Sequence, residues 1–272
     1  MISWRIREWK MKQPTRITRT VLPWLLPSAL LIIWQLGSVS GWISDRVLPA
    51  PVHVLTAAWA LMKSGELWSN LSISTWRAVV GFAIGAGAGL IMGLITGLSR
   101  VGELLLDSTL QMLRNIPHLA LIPLVILWFG IDERAKIFLV ALGTFFPLYL
   151  NTAHGIRHID KQLIEMSRSY GLRGIALFWQ VILPGAMPSI LVGVRFSLGL
   201  MWLTLIVAET ISANAGIGYL AMNAREFLQT DIVVFAILLY ALLGKLSDLL
   251  TVALEKRLLR WHIQWRKEEL PV

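Results

Sequence analysis

Several polar side chains lie inside or beside long apolar runs, where they could act on a solute. Glu209 lies near the end of one run and is followed by Thr210, Ser212 and Asn214. This carboxylate could gate or line an outer vestibule or pack at an interface, and it would repel an anion unless an arginine neutralised it. Four more side chains are candidates to line a path for a polar solute: Asn115, His118, Thr144 and Thr204. Hydrogen bonding between helices is the simpler role for these four.

Catalytic and metal chemistry find little support in the sequence. His154 and His158 have the i, i+4 spacing of a zinc clamp, but Gly155 stands where a metalloprotease has its general-base glutamate. The chain has no cysteine, and no set of nucleophile, base and orienting group can be recognised. The pair Gly244-Lys245 lacks the other residues of a phosphate-binding loop. We therefore expect no catalytic residue, no metal site and no cofactor, and ATP hydrolysis would need another chain.

The composition indicates what must hold these residues in place. Of the 272 residues, 56% are hydrophobic and 15% are charged, whereas a soluble domain carries about 25% charged residues. The apolar residues form blocks, as expected for helices that cross a hydrocarbon core about 30 Å thick. These features predict an all-α integral membrane protein of about six transmembrane helices.

Six apolar blocks define the predicted spans. They cover residues 21–39, 78–98, 104–130, 136–155, 189–211 and 232–254. Pro117 and Pro123 are expected to kink the third span. The first block has no clear signal-peptide cleavage site and is predicted to be a retained helix. We predict one transmembrane domain over residues 21–256, between a basic tail at residues 1–20 and a second tail at residues 257–272.

The basic residues predict the orientation of the spans and argue against nucleic acid as a partner. The net charge is +9, but these residues lie between and beyond the apolar blocks, where they mark the cytoplasmic side and contact anionic headgroups. Most belong to the predicted cytoplasmic side: Arg5, Arg7, Lys10, Lys12, Arg16, Arg19, Arg100, Arg114, Arg157, Lys161, Arg168, Arg173, Lys256, Arg257, Arg260, Arg266 and Lys267. Fewer belong to the opposite side: Arg46, Lys63, Arg77, Arg134, Lys136 and Arg225. Both termini are therefore expected in the cytoplasm, with Arg195 snorkelling from its span and Lys245 paired with Asp248.

The second span carries a ridge of glycines at every fourth position. Its members are Gly81, Gly85, Gly89, Gly93 and Gly97. Small residues let a second backbone approach closely in lipid, where helix association depends on packing. The ridge predicts tight helix packing, and a contact that slides between conformational states is the alternative.

The polar stretch between the fourth and fifth spans is predicted to contain a short amphipathic helix. One face of this helix would carry Ile159, Leu163, Met166 and Tyr170. Asp160 can cap its start, and Gly171 can end it in a left-handed conformation. A following segment is expected to stop at Pro184. A helix that lies on the lipid headgroups is the alternative.

The spacing in this stretch resembles a known motif. Glu165-Met166-Ser167, then Gly171, then Leu183-Pro184 is similar to the EAA loop of importer-type ABC permeases, although that family commonly has alanines at the second and third positions. The resemblance implies a coupling helix that inserts into a cytoplasmic ATPase. It assigns the coupling role to Glu165, Met166, Ser167, Gly171, Leu183 and Pro184.

Two other segments, residues 112–120 and 208–214, resemble the permeases of aliphatic sulfonate importers. Relatives that import taurine, nitrate or a thiamine-precursor pyrimidine share much of this pattern. The resemblance implies a permease homodimer in the bacterial inner membrane, two copies of a cytoplasmic ATP-binding subunit and a periplasmic substrate-binding protein. An ion-gradient transporter is the alternative, but it would not need the Glu-Gly-Pro loop. No cluster of Arg or Lys is evident in the outer half of the spans, so selectivity is expected to belong to the binding protein.

Overall fold

A computed structural model describes residues 16–259, and within this range the chain forms helices and turns without a strand. The helices are α1 (Arg16–Val39), α2 (Pro51–Ser64), α3 (Glu66–Leu98), α4 (Arg100–Arg114), α5 (Ile122–Phe129), α6 (Glu133–Arg157), α7 (Lys161–Ser169), α8 (Gly174–Leu177), α9 (Leu183–Ser212), α10 (Ile217–Glu226) and α11 (Thr230–Leu258). The predicted tail residues Arg5, Arg7, Lys10, Lys12, Arg260, Arg266 and Lys267 lie outside the described range.

Within residues 16–259, four helices are long and apolar enough to cross a membrane. They are α3, α6, α11 and the continuous run Gly174–Ser212, which contains α9. The pair α4 and α5 can supply a fifth crossing, but it is bent by 79°. The apolar part of α1, Trp24–Val39, is shorter than these spans. The predicted all-α membrane fold is confirmed, and the third predicted span is a broken one.

The break between α4 and α5 has a local cause. Pro117 has no backbone N–H to donate and disfavours helical geometry at the residue before it, and α4 ends at Arg114. A 3₁₀ turn, His118–Leu121, then leads into α5. Pro123 lies in the first turn of α5, where proline is tolerated, so the prediction that it also kinks a helix is wrong.

The second span begins well before its predicted start. Gly65 adopts a left-handed conformation with φ of 80°, which ends α2 and lets α3 begin at Glu66. The helix therefore includes Arg77, which the sequence placed in an outer loop. The short helices α2 and α10 were not predicted, because neither has the length or hydrophobicity of a span.

The glycine ridge of α3 lies against α6. A Cβ added at Gly93 would come within 2.6 Å of the Thr152 Cβ, and one added at Gly89 would collide with the Phe145 carbonyl oxygen. Gly81, Gly85 and Gly97 likewise face α6, whereas the off-ridge residue Gly87 has nothing within 4 Å. Only glycine therefore permits this separation of the two backbones.

The helix α9 packs on α6 on one side and on α11 on the other. Ser197 Oγ donates to the Thr144 carbonyl oxygen at 2.9 Å, and Trp202 Nε1 donates to Ser247 Oγ at 2.8 Å. Around these bonds lies an apolar core from α3, α6, α9, α10 and α11 that includes Ala78, Val140, Leu205, Ile217 and Ala236. This core packs around residues 198–206 of α9, a segment that includes Thr204.

Candidate functional site

The loop between α6 and α9 is built around the capped helix α7. The Asp160 carboxylate accepts the Gln162 backbone N–H at 2.8 Å, which confirms the predicted N-cap. At the other end Gly171 has φ of 87°. The Gly171 N–H donates to the Arg168 carbonyl and the Leu172 N–H to the Ser167 carbonyl, a Schellman arrangement. The predicted left-handed helix end at Gly171 is therefore confirmed.

The predicted apolar face of this helix is not buried as a unit. Ile159 is buried in the core beside α9, but Met166 and Tyr170 have 53% and 82% of their surfaces exposed. Ser167 is the residue of α7 that points inward, and its hydroxyl donates to the Leu163 carbonyl. Glu165 is exposed. The exposed apolar residues continue along the chain to Ile175 and Trp179. We call Met166, Tyr170, Ile175 and Trp179 the loop surface.

The segment after Gly171 does not stop at Pro184, so that prediction is wrong. The chain runs from α8 through a π turn, Phe178–Ile182, directly into α9. Leu183 and Pro184 form the first turn of α9, a position where proline is tolerated. The six coupling candidates therefore divide between α7, its glycine cap and the start of α9.

A buried cluster of charges lies at the opposite end of α9. The Arg77 guanidinium donates from Nε and Nη2 to the two carboxylate oxygens of Glu133, each at 2.6 Å. Its Nη1 donates to Glu209 Oε1 at 2.7 Å and to the Ala215 carbonyl at 2.6 Å. The Arg77 side chain is 2% exposed and that of Glu209 is 0% exposed. One arginine thus joins the start of α6 to the end of α9.

Glu209 receives hydrogen bonds from three further groups. The hydroxyls of Ser74 and Tyr240 donate to it at 2.8 and 2.9 Å, and the Gly218 backbone N–H donates at 2.9 Å. A buried carboxylate is stable only with such partners. The sequence predicted that Glu209 is a gate residue, a residue that lines an outer vestibule or a packing residue. The structure places it at the centre of a network that joins α3, α9, α10 and α11.

Two basic residues were assigned to the wrong environment. Arg77 was predicted to lie in an outer loop and Lys136 at the first residue of the fourth span, yet each lies inside a helix with a buried side chain. Lys136 Nζ lies 3.4 Å from Glu133 Oε1. Two buried cations therefore lie near each other at the end of the spans opposite α7, where the sequence suggested no cluster of Arg or Lys.

The other predicted path residues do not gather at one site. His118 Nε2 and Thr204 Oγ1 lie 3.1 Å apart and connect the 3₁₀ turn to α9. Thr144 is buried and donates to carbonyls of its own helix. Asn115 is exposed at the end of α4. Glu209 belongs to the separate charge network.

The predicted pair of Lys245 and Asp248 is confirmed, with Nζ and Oδ2 3.1 Å apart. Arg195 does not act alone, because its guanidinium contacts the same carboxylate at 2.6 Å. The contact between Arg195 and Asp248 joins α9 to α11, and the three side chains together carry one net positive charge.

The sequence profile of the binding-protein-dependent transport system inner membrane components matches residues 85–260. The chain belongs to this family. Its members are transport permeases of ABC importers, so the chain is a multi-pass inner-membrane transport subunit and not an enzyme. The family also implies a partner ATPase and a substrate-binding protein.

Curated relatives of this permease cover almost its whole length. It is 69% identical to the putative aliphatic sulfonates transport permease of Escherichia coli K12, over 93% of this chain and 96% of that protein. The counterpart in Bacillus subtilis 168 is 48% identical, over 88% of this chain and 86% of that protein. The taurine transport system permease of E. coli K12 is 35% identical, over 86% of this chain and 87% of that protein.

A solved structure supports the same fold. An inward-facing form of the MetNI methionine ABC transporter contains a chain that matches with a TM-score of 0.52 at 19% identity. The match covers 73% of this permease and 97% of that chain. The permease therefore has the fold of an importer membrane subunit.

Proposed function

We propose that this permease imports aliphatic sulfonates. The observation that carries the proposal is the 69% identity to a putative aliphatic sulfonates permease over 93% of the chain. Identity to the taurine permease is half as high, at 35%, and taurine is the second candidate substrate. Nitrate and a thiamine-precursor pyrimidine are weaker alternatives that rest on family likeness.

Uptake into proteoliposomes tests the substrate. The permease would be reconstituted with its ATPase and binding protein, and ATP-dependent uptake of ³⁵S-ethanesulfonate would be compared with that of ³⁵S-taurine. We expect ethanesulfonate to be taken up faster at subsaturating concentration. Equal uptake rates in the presence and in the absence of ATP would exclude active import. Faster uptake of taurine than of ethanesulfonate would transfer the assignment to the second candidate.

We propose further that α7 couples the permease to the ATPase, with Glu165, Met166, Ser167, Gly171, Leu183 and Pro184 in this role. The support is the exposed loop surface, which begins on the capped helix α7 and ends on the π turn that leads into α9. Apolar patches of this kind mark interfaces with proteins or membranes. A permease homodimer would present two such surfaces to two ATPase copies. Met166→Asp should reduce ATPase co-purification, whereas Tyr219→Phe on α10 should not.

The proposed orientation has both termini and α7 in the cytoplasm, with residues 21–256 as the transmembrane domain. Ser169→Cys and Ser64→Cys test it, because both positions are exposed and the native chain has no cysteine. In intact cells an impermeant thiol reagent should label the cysteine at position 64 and spare the one at position 169. The reverse pattern would invert the topology.

Under this orientation Glu209 and its network lie at the outer ends of the spans. We propose that the network holds the outer gate, and that Asn115, His118 and Thr204 lie nearer the path than Thr144, whose hydroxyl bonds within its own helix. Cysteines introduced singly at positions 115 and 144 would be tested for protection by the substrate against a thiol reagent, which would show which position lies nearer the path. Protection at position 144 but not at 115 would contradict this order.

A further inference from the structure

The cations of the charge network are buried, but one of its carboxylates is exposed, and packing alone does not require this difference. The side chains of Arg77 and Lys136 are 2% and 3% exposed, while the carboxylate that they share, Glu133, is 52% exposed. Two buried cations thus meet one anion that reaches the surface. The second carboxylate, Glu209, is fully enclosed and cannot leave without opening the core.

The guanidinium divides its hydrogen bonds between these two carboxylates. One terminal nitrogen, Nη1, serves Glu209 and the Ala215 carbonyl. The opposite edge, Nε and Nη2, makes a bidentate contact with Glu133 alone. Two parallel N–H donors of this kind fit any planar or tetrahedral oxyanion, including a sulfonate. The outer edge of Arg77 therefore has the geometry of an anion receptor.

The Glu133 side chain can leave this edge without moving α6. It belongs to the first helical residue, and the Asp132 carboxylate holds its backbone N–H at 2.7 Å. Rotation of the Glu133 side chain would leave Arg77 with Glu209 as its carboxylate partner, and it would leave Lys136 with a contact to the Asp132 carbonyl oxygen. Uncompensated buried charge is costly, so another anion would have to replace the carboxylate.

We propose that Arg77 and Lys136 form an entry site for the sulfonate group, which the Glu133 carboxylate occupies until the transported anion displaces it. The class of ligand rests on the proposed import of sulfonates, whereas the anion site rests on the geometry alone. Because Glu133 is tethered beside the site, it competes at high effective concentration and keeps the affinity for free anions low. Low affinity suits a pump, which must release what it receives.

Removing the competing charge tests the site. Binding of ³⁵S-ethanesulfonate and ³⁵S-sulfate would be measured on the permease–ATPase complex in nanodiscs, without the binding protein. Glu133→Gln should tighten anion binding by about tenfold or more, because the amide cannot compete as an anion. Asp132→Asn is the matched control, because it removes a negative charge one residue away, from the carboxylate that caps the helix. The Asp132→Asn variant should bind both anions like the wild type. Adding Lys136→Gln to Glu133→Gln should weaken binding again.

The outcomes separate the site from the substrate. If Glu133→Gln bound sulfate more tightly but not ethanesulfonate, the result would support the anion site and exclude a sulfonate as its ligand. Unchanged binding of both anions in Glu133→Gln would overturn the site, and ethanesulfonate uptake by the wild-type importer would then still support the proposed function.

A second variant tests the site if Glu133→Gln does not fold. In Glu133→Cys the introduced thiol should react at least about tenfold faster with a sulfonate-bearing methanethiosulfonate reagent than with a trimethylammonium one, because it faces two cations. Asp132→Cys should show a smaller preference. No preference for the anionic reagent at position 133 would overturn the proposal.

Discussion

The buried Glu209 carboxylate and the Arg77 guanidinium are 2.7 Å apart, although 132 positions separate them in the chain. The contact fixes the N-terminal half of α3 to the last turns of α9. The two residues do not depend on each other equally. Arg77 has a second carboxylate partner in Glu133, whereas no second cation contacts Glu209 in the described part of the chain.

This difference predicts which of two substitutions destabilises the permease more. Arg77→Met should destabilise the permease by about 3–5 kcal/mol, because it leaves a buried carboxylate without a cation. Glu209→Gln should cost less, because Arg77 keeps Glu133. Thermal unfolding in detergent would measure both, and a larger loss for Glu209→Gln would contradict the assigned network.

The glycine ridge gives a matched pair. Gly89→Ala would push a Cβ into the Phe145 carbonyl, and we expect a loss of about 1–3 kcal/mol from overpacking. Gly87→Ala adds the same atom to the same helix where nothing lies within 4 Å, and it should be neutral or slightly stabilising. Similar unfolding temperatures for the two variants would show that the ridge does not set the distance between α3 and α6.

Gly171→Val should impair transport more than its volume suggests. A β-branched residue resists a φ of 87°, so α7 could not end in the same turn and the loop surface would be displaced. Gly199→Ala is the control, because an added Cβ there meets nothing within 4 Å and its φ is not positive. ATP-driven uptake and ATPase co-purification would be measured together. Normal values of both for Gly171→Val would remove this glycine from coupling.

Thr152 offers a stabilising change. Its hydroxyl is buried and has no hydrogen-bond partner among residues 16–259. Thr152→Val keeps the branched shape and removes the unsatisfied group, so it should stabilise the permease by about 1–3 kcal/mol. Thr144→Val, at an equally buried position, loses donations to the Val140 and Ala141 carbonyls and should not stabilise. A lower unfolding temperature for Thr152→Val than for the wild type would imply an unseen partner.

The features that depend on local sequence were predictable. Apolar length identifies α3, α6, α9 and α11 as spans, and the caps Asp160 and Gly171 follow from residue types at helix ends. Pro117 likewise marks the break after α4 because a missing N–H acts on the nearest turn.

The charge network was not predictable by the same reasoning. A hydropathy window scores Arg77 as polar wherever its partner lies, so the predicted span began just after it. Its environment is set by Glu133 and Glu209, which other helices bring to it. Glu209 was noticed because it interrupts an apolar run, but the donors Ser74, Gly218 and Tyr240 carry no sequence signal for this role.

The unbroken helix α9 has a thermodynamic consequence. Its 30 residues extend about 45 Å, from the turn that follows the loop surface to the carboxylate that holds Arg77. If an event at one end changes the binding constant of a ligand at the other by some factor, the reverse change has the same factor. If α7 couples the permease to its ATPase as proposed, anion binding beside Glu133 would therefore change the affinity of the permease for the ATPase by the same factor by which the ATPase changes the affinity for the anion.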